Sequence, residues 1–136
     1  MPPEKITPGG APDWIRRARS DLALASIPLP QDSLYSDLCF HAQQAVEKSL
    51  KAVLIHFGIE FKKVHHIGYL VNMLPQEVFA TLPVKAEVLS ELTSYAVMFR
   101  YPGSYEDAVE EDLRQVVSQA RLMLDWAQAL VSQPLP

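Results

Sequence analysis

The sequence predicts an all-α protein, folded as an antiparallel bundle of four to five helices. Apolar residues recur at helical spacing along several long segments, and no segment shows the two-residue alternation of a half-buried strand. With 136 residues and an apolar fraction of 49%, the chain is about the size of one domain that can bury its own core.

The chain is expected to open with a flexible leader at residues 1–11, followed by one helical domain at residues 12–132. Four prolines and two glycines fall within the first twelve residues, where apolar periodicity is weak. Pro12 suits the first turn of a helix, because the N–H that it lacks would have no helical partner there. The first helix is therefore predicted from Pro12 to Ser26, ahead of two further prolines.

The second helix is the longest that the sequence predicts, from a Ser33 cap to Gly58. Serine is a favoured N-cap, and glycine readily adopts the left-handed conformation that follows a last turn. Apolar residues cover most of this helix, which is more than a helix with a single buried face needs. We expect it to lie inside the bundle, with neighbours on two or more sides.

The middle of the chain is predicted to contain shorter helical segments after a basic connector at 59–66. A short helix is expected at 67–74 and a further turn at 75–82. A stronger helix should begin near Pro83 and end before the turn signal Tyr101-Pro102-Gly103.

The last helix is predicted to begin at Ser104. Asp107 stands three residues later, as in a capping box, and further acids crowd the first turn, where the helix dipole favours negative charge. Apolar residues then recur at helical spacing as far as Leu130.

Charge and cysteine content restrict the classes of function. The net charge of −4 argues against the broad basic surface that duplex DNA binding requires. The one cysteine, Cys39, cannot form an intramolecular disulfide, and the N-terminus does not resemble a secretion signal. No apolar run approaches the roughly 18 residues of a membrane span. The sequence therefore predicts a cytoplasmic protein that binds neither a membrane nor duplex DNA.

A stripe of polar residues on the second helix is the best candidate for a functional site. Its members stand at relative positions 0, 3, 7 and 10 and share one helical face: His41, Gln44, Lys48 and Lys51. Lysine can neutralise phosphate as a point charge, and histidine can donate a hydrogen bond or change its charge near neutral pH. This face is therefore predicted to meet an anion.

Other polar residues would extend this surface. The connector supplies Lys62, Lys63, His65 and His66, and Arg100 offers a guanidinium for a phosphate. Three tyrosines are candidates to stack on a base: Tyr95, Tyr101 and Tyr105. A structural interpretation stays open for the same surface, in which Lys48 pairs with an acid across a dimer and His65 or His66 caps the short third helix.

No metal, cofactor or cysteine nucleophile is predicted. Cys39 and His41 are two residues apart on a helix and project about 200° from each other, so they cannot chelate one ion. Cys39 stands between Leu38 and Phe40 and is expected to be a small buried residue. The sequence contains neither a glycine-rich phosphate loop nor a serine-centred hydrolase motif.

Several separated segments together resemble the HEPN domain. They are Asp13–Ile15 and Ser20–Ala25 in the first helix, Phe40–Ile55 in the second, Val64–Leu70, and Phe99–Gly103. In the family's order, the resemblance extends from about Asp13 to Leu130. It implies a helical bundle that commonly forms homodimers and is implicated in nucleotide or RNA binding. It also implies a setting, common in microbes, in which the protein is encoded beside a small nucleotidyltransferase as a toxin and antitoxin pair.

The family's ribonuclease members resemble one another in an arginine followed four to six residues later by a histidine. The histidine serves as general acid or base, and the arginine stabilises the phosphate. Arg100 stands where such an arginine would be, but no histidine follows it at that spacing, and no other arginine has one. The resemblance therefore implies the fold and the binding tendency without the nuclease motif.

Two functions from different classes follow from the residues and the resemblance. The preferred one is a non-catalytic module that binds a nucleotide or RNA and acts with a nucleotidyltransferase partner. Its predicted ligand-binding residues are His41, Gln44, Lys48, Lys51, His65, Arg100 and Tyr101. The alternative is a divergent metal-independent ribonuclease in which Arg100 still acts and His41, His65 or Tyr105 replaces the absent histidine.

A homodimer is predicted as well. Large apolar residues occur at positions that do not all fit one inward stripe, so some of them are expected to cover a second surface. They are Trp14, Tyr35, Phe40, Val97, Met98 and Trp126.

Overall fold

A computed structural model describes residues 9–98 and 107–135 of the chain. These residues form six helices and no strand: α1 (Ala11–Ala25), α2 (Tyr35–His56), α3 (Ile67–Asn72), α4 (Gln76–Phe79), α5 (Ala86–Met98) and α6 (Glu110–Val131). The all-α prediction is confirmed. The segment between α2 and α5 forms two separate helices of six and four residues, which brings the described helices to six.

The second helix, α2, lies inside the bundle as predicted. It packs against α1 and α6 over much of its length and also contacts α3 and α5. Val46, Leu50 and Leu54 are completely buried on it. Neighbours on several sides explain why apolar residues surround this helix rather than forming one stripe.

The directions of the long helices follow from side-chain contacts between them. Lys51, near the end of α2, lies over the ring of Trp14 near the start of α1, and His41 reaches Asp21 farther along α1, so these two helices are antiparallel. The Ala108 N–H donates to Ser36 Oγ at 3.4 Å, which places the starts of α2 and α6 at the same end of the bundle. The intervening helices α3–α5 return the chain to that end.

Two predicted helix starts are wrong. The second helix begins at Tyr35 after Leu34, so Ser33 is not its cap. The last helix begins at Glu110, not Ser104, because Asp112 Oδ2 accepts from the Val109 N–H at 2.8 Å. Ser104 itself lies outside the described residues.

The predicted end of α2 is confirmed. Gly58 has a φ of +72°, and its N–H donates to the carbonyl of Ile55 at 3.0 Å. The Ile59 N–H donates to the carbonyl of Leu54 at 2.9 Å, so the last carbonyls of the helix are satisfied. This left-handed turn directs the connector 59–66 back along the bundle.

Within the described ranges, no helix is long and apolar enough to cross a lipid bilayer. The predicted leader and domain limits, 1–11 and 12–132, remain predictions, because residues 1–8 lie outside those ranges.

A buried carboxylate fixes the start of α1. Asp13 accepts hydrogen bonds from the Gly9 N–H at 3.0 Å, from Arg16 at 2.8 Å and from Arg17 at 3.3 Å. The backbone hydrogen bond from Gly9, followed by the bond from Arg16, lowers the pKa of Asp13 to about 2. The ionised carboxylate therefore stabilises the folded protein.

This carboxylate should give stability a specific acid dependence. The folded pKa of about 2 lies below the ordinary value of 3.8, so the contribution is complete above pH 4 to 5 and is lost as pH falls towards 2. We expect the stability difference between the wild type and Asp13→Asn to shrink over that range. Thermal unfolding of both proteins from pH 7 to 2 measures it, and a constant difference would contradict the assignment.

Candidate functional site

One buried carboxylate on α1 holds two cationic or titratable side chains of α2. Asp21 Oδ1 lies 3.0 Å from His41 Nδ1, and Asp21 Oδ2 accepts from Lys48 Nζ at 2.5 Å. Each carboxylate oxygen therefore has its own partner, and the imidazole and the ammonium are held side by side. We refer to Asp21, His41 and Lys48 as the Asp21 cluster.

A second buried carboxylate, Glu47 on α2, ties the connector to the bundle. Its Oε2 accepts from Lys51 Nζ at 3.0 Å, and His65 Nδ1 lies 3.1 Å from the same oxygen. The Lys51 ammonium also lies 5.2 Å from the ring centroid of Trp14 and 5.8 Å from that of Phe61, as in cation–π contacts. We refer to Glu47, Lys51 and His65 as the Glu47 cluster.

The two clusters differ in what they present to solvent. In the Asp21 cluster, the side chains of His41 and Lys48 are 35% and 23% exposed. In the Glu47 cluster, the Lys51 side chain is only 6% exposed, whereas that of His65 is 79% exposed. An external anion can therefore approach His41, Lys48 and His65, but Lys51 is enclosed by its own chain.

The carboxylates also orient the two imidazoles. An ionised carboxylate only accepts hydrogen bonds, so Nδ1 of His41 and of His65 carries the hydrogen that it donates. Neither Nε2 atom makes a hydrogen bond to any described residue. In a neutral ring this nitrogen accepts a proton, and in a protonated ring it donates a hydrogen bond.

Protonation of the histidines decides the net charge of each cluster. Each lysine is matched by one carboxylate, so a cluster with a neutral imidazole is neutral overall. A protonated imidazole leaves one excess positive charge, which favours an anion. Unlike a row of unpaired lysines, each cluster therefore carries an excess positive charge only when its histidine is protonated.

The structure places the other predicted residues in different surroundings. Gln44 is half-buried on α2, about one turn after His41 and one turn before Lys48, and Lys62 and Lys63 are exposed on the connector. His66 Nδ1 accepts from the Tyr69 N–H at 2.9 Å, which confirms the interpretation of this residue as the cap of α3. The residues that fall outside the described side chains are Tyr95, Arg100, Tyr101 and Tyr105.

The sequence reasoning missed the two acids that organise the site. Asp21 lies on the buried face of α1 among Ala18, Leu22 and Ala25, where a charged residue signals a partner on another helix. Glu47 stands four residues before Lys51, which is the spacing of an ion pair on one helix. Lys48 pairs with Asp21 of its own chain.

One further arginine belongs to this side of α1. Arg17 stands three residues after Trp14 and four before Asp21, so all three share a helical face. Its side chain is 55% exposed, and its Nε donates to Asp13 at 3.3 Å. We define the α1–α2 face by Trp14, Arg17, Asp21, His41, Gln44 and Lys48.

The described residues include no group of three or more His, Cys, Asp or Glu side chains that could hold a metal ion. Cys39 is buried, as predicted, and burial together with nearby Asp112 raises the pKa of its thiol to about 11. The thiol is therefore protonated near neutral pH and is a poor nucleophile.

Comparison with known proteins gives three matches. The family model described as HEPN domain matches residues 11–130. The chain is 33% identical to "Putative toxin MJ1304" of Methanocaldococcus jannaschii, and the alignment covers 82% of each protein. It also matches the crystal structure of ST0689, an archaeal HEPN homologue, with a TM-score of 0.62 and 26% identity over 90% of this chain and 98% of the other.

Proposed function

The chain belongs to the HEPN domain family, and we propose that it is a toxin-like module that binds phosphate groups along the α1–α2 face. The ligand is a nucleotide or single-stranded RNA. A relative of similar length carries a toxin name, which supports a role in a toxin and antitoxin pair. We further propose that a nucleotidyltransferase is the partner and that the module acts as a homodimer.

The Asp21 cluster is the observation that carries this proposal. Asp21 holds the His41 ring and the Lys48 ammonium at neighbouring positions, and both remain partly exposed. A phosphate that contacts both would receive a charge-assisted hydrogen bond from lysine and a second one from Nε2 of a protonated histidine. Because the side chains are already held in place, little conformational entropy is lost on binding.

Arg17 and Gln44 extend the same face beyond the cluster. The guanidinium of Arg17 retains N–H donors beyond the one directed at Asp13, and it is largely exposed. Gln44 offers an amide that can donate to phosphate or sugar oxygens. The cations here are few, and the net charge of the chain is −4, so binding is expected to be local and sensitive to salt.

Neutralisation of Lys48 should weaken RNA binding. We expect Lys48→Gln to raise the Kd for a ten-nucleotide oligouridine about five- to tenfold, because one charge-assisted contact is lost. The slope of log affinity against log salt should fall by about 0.7 in magnitude, as for one phosphate contact of a single strand. Fluorescence anisotropy over a salt series measures both quantities.

Two further variants make this test specific. Lys85→Gln removes the same charge from an exposed position before α5 and should leave binding unchanged. Arg17→Gln alters an exposed side chain of the α1–α2 face and should also weaken RNA binding. Because Arg17 is exposed, this variant tests the face independently of any effect that Lys48→Gln has on the fold. Equal losses in Lys85→Gln and Lys48→Gln, or no binding by the wild type, would overturn the proposal.

The orientation of the histidines favours a second candidate function, a divergent metal-independent ribonuclease. A carboxylate that fixes an imidazole with Nε2 free is an arrangement suited to a general base. Digestion of labelled RNA in the presence of a chelator separates the candidates. Cleavage that is lost in His41→Gln or Arg100→Ala identifies the enzyme, whereas binding without cleavage supports the non-catalytic module.

A further inference from the structure

A groove on the other side of α1 is not used by the proposed function. It lies between α1 and the C-terminal end of α6 and has a volume of about 610 Å³. Its lining includes Ile15, Arg16 and Arg19 from α1, and Gln128, Val131 and Ser132 from the end of α6. Ile15 and Arg19 are four residues apart and share a helical face that does not include Arg17.

The rim of this groove carries two guanidinium groups. Arg19 Nε donates to the side-chain oxygen of Gln128 at 3.2 Å, and Arg19 Nη2 donates to the same oxygen, in the amide orientation that these donors require. Among the described residues, Arg19 forms no ion pair. Arg16 donates to Asp13 at 2.8 Å and keeps further N–H groups for another acceptor.

The floor of the groove is apolar. Ile15 is buried, and Val131 is half-buried beside it at the end of α6. The volume lies within the range of about 300–1,000 Å³ that is typical of small-molecule sites, which combine an apolar lining with a few polar groups that orient the ligand. An oriented guanidinium at the rim suits a planar carboxylate, which can accept two parallel hydrogen bonds from the edge formed by Nη1 and Nη2 that does not face Gln128.

We propose that this groove binds a small amphipathic anion, with an apolar body against Ile15 and Val131 and a carboxylate head on Arg19 and Arg16. The arginines would bind the carboxylate and the apolar floor would bind the apolar body. Neither part of the lining alone would select such a molecule. The site is separate from the α1–α2 face, so this inference stands or falls independently of phosphate binding.

A purely structural role is the competing explanation for the arginines. α6 has no basic residue in its last turn. Cations at a helix C-terminus are favourable, so Arg16 and Arg19 would stabilise the helix without a ligand. The two explanations differ in their consequences. A ligand site requires both the charge and the apolar floor, whereas helix stabilisation requires only the charge.

Isothermal titration calorimetry with three probes tests the proposal. Decanoate, used below its micelle concentration, supplies both the apolar body and the carboxylate head. Acetate supplies the carboxylate head alone, and 1-octanol supplies the apolar body alone. We expect saturable binding of one decanoate per chain and at least about tenfold weaker binding of the other two. Arg19→Gln should weaken decanoate binding about tenfold, and Val131→Asp should abolish it.

Arg114→Gln is the matched control. Arg114 is exposed near the start of α6, far from the groove, and the substitution should leave decanoate binding unchanged. Melting temperatures of all variants show whether each one is folded. The absence of saturable binding, equal losses in Arg114→Gln and Arg19→Gln, or a lower melting temperature in Arg19→Gln without any change in binding would overturn the proposal.

Discussion

Replacement of Glu47 by glutamine should destabilise the fold by about 3–5 kcal/mol. Glutamine keeps the shape of the side chain but removes the charge that balances Lys51, whose side chain is only 6% exposed. The rings of Trp14 and Phe61 lie 5.2 and 5.8 Å from the ammonium and cannot replace an ionised carboxylate. Urea unfolding of the wild type and Glu47→Gln measures the loss.

Two controls test whether the loss of stability comes from leaving the buried Lys51 charge without a partner. The double variant Glu47→Leu with Lys51→Met removes both charges and should recover most of the stability, because no unpaired ion remains. Glu110→Gln breaks a pair with Arg114 in which the Glu110 side chain is 63% exposed, and it should cost less than about 1 kcal/mol. If Glu47→Gln lowered the free energy of unfolding no more than Glu110→Gln does, the enclosed position of Lys51 would be contradicted.

Replacement of Gln43 by methionine should stabilise the protein by about 1–3 kcal/mol. Gln43 is 2% exposed, and its Oε1 and Nε2 atoms have no hydrogen-bond partner among the described residues. A buried amide without partners loses its hydrogen bonds to water on folding and gains none in return. Methionine is of similar length and flexible, so it can fill the same space without that loss.

Gln44→Met is the matched control for this substitution. Gln44 is the next residue on α2 and is half-buried, so its amide can still reach water, and the change should alter stability by less than about 0.5 kcal/mol. Urea unfolding of both variants gives the comparison. A loss of stability in Gln43→Met would show that the Gln43 amide has a partner in solution.

The sequence predicts the long helices well because their signals are local. The apolar residues around α2 and the left-handed turn at Gly58 depend on neighbours within a few positions. The starts of α2 and α6 were harder to predict, because more than one residue near each start could serve as the cap. At α6, Asp112 Oδ2 accepts from the Val109 N–H three residues earlier, which is a local contact. The Ala108 N–H donates to Ser36 of α2, a tertiary contact that the sequence alone does not reveal.

The candidate site shows the same division between local and tertiary information. Helical spacing alone places His41 and Lys48 on one face of α2. It does not reveal Asp21, which comes from 20 residues earlier and depends on the register between α1 and α2. Spacing also places Lys51 on that face, although Trp14 and Phe61 enclose it in the fold.

Mapping of RNA contacts by NMR tests whether the α1–α2 face binds the ligand. Backbone amide resonances of the isotopically labelled protein would be followed during titration with the ten-nucleotide oligouridine. We expect saturating shifts at Trp14–Asp21 of α1 and at His41–Lys48 of α2, with the C-terminal end of α6 unaffected. An absence of saturating shifts, or shifts centred on another surface, would contradict phosphate binding at the α1–α2 face.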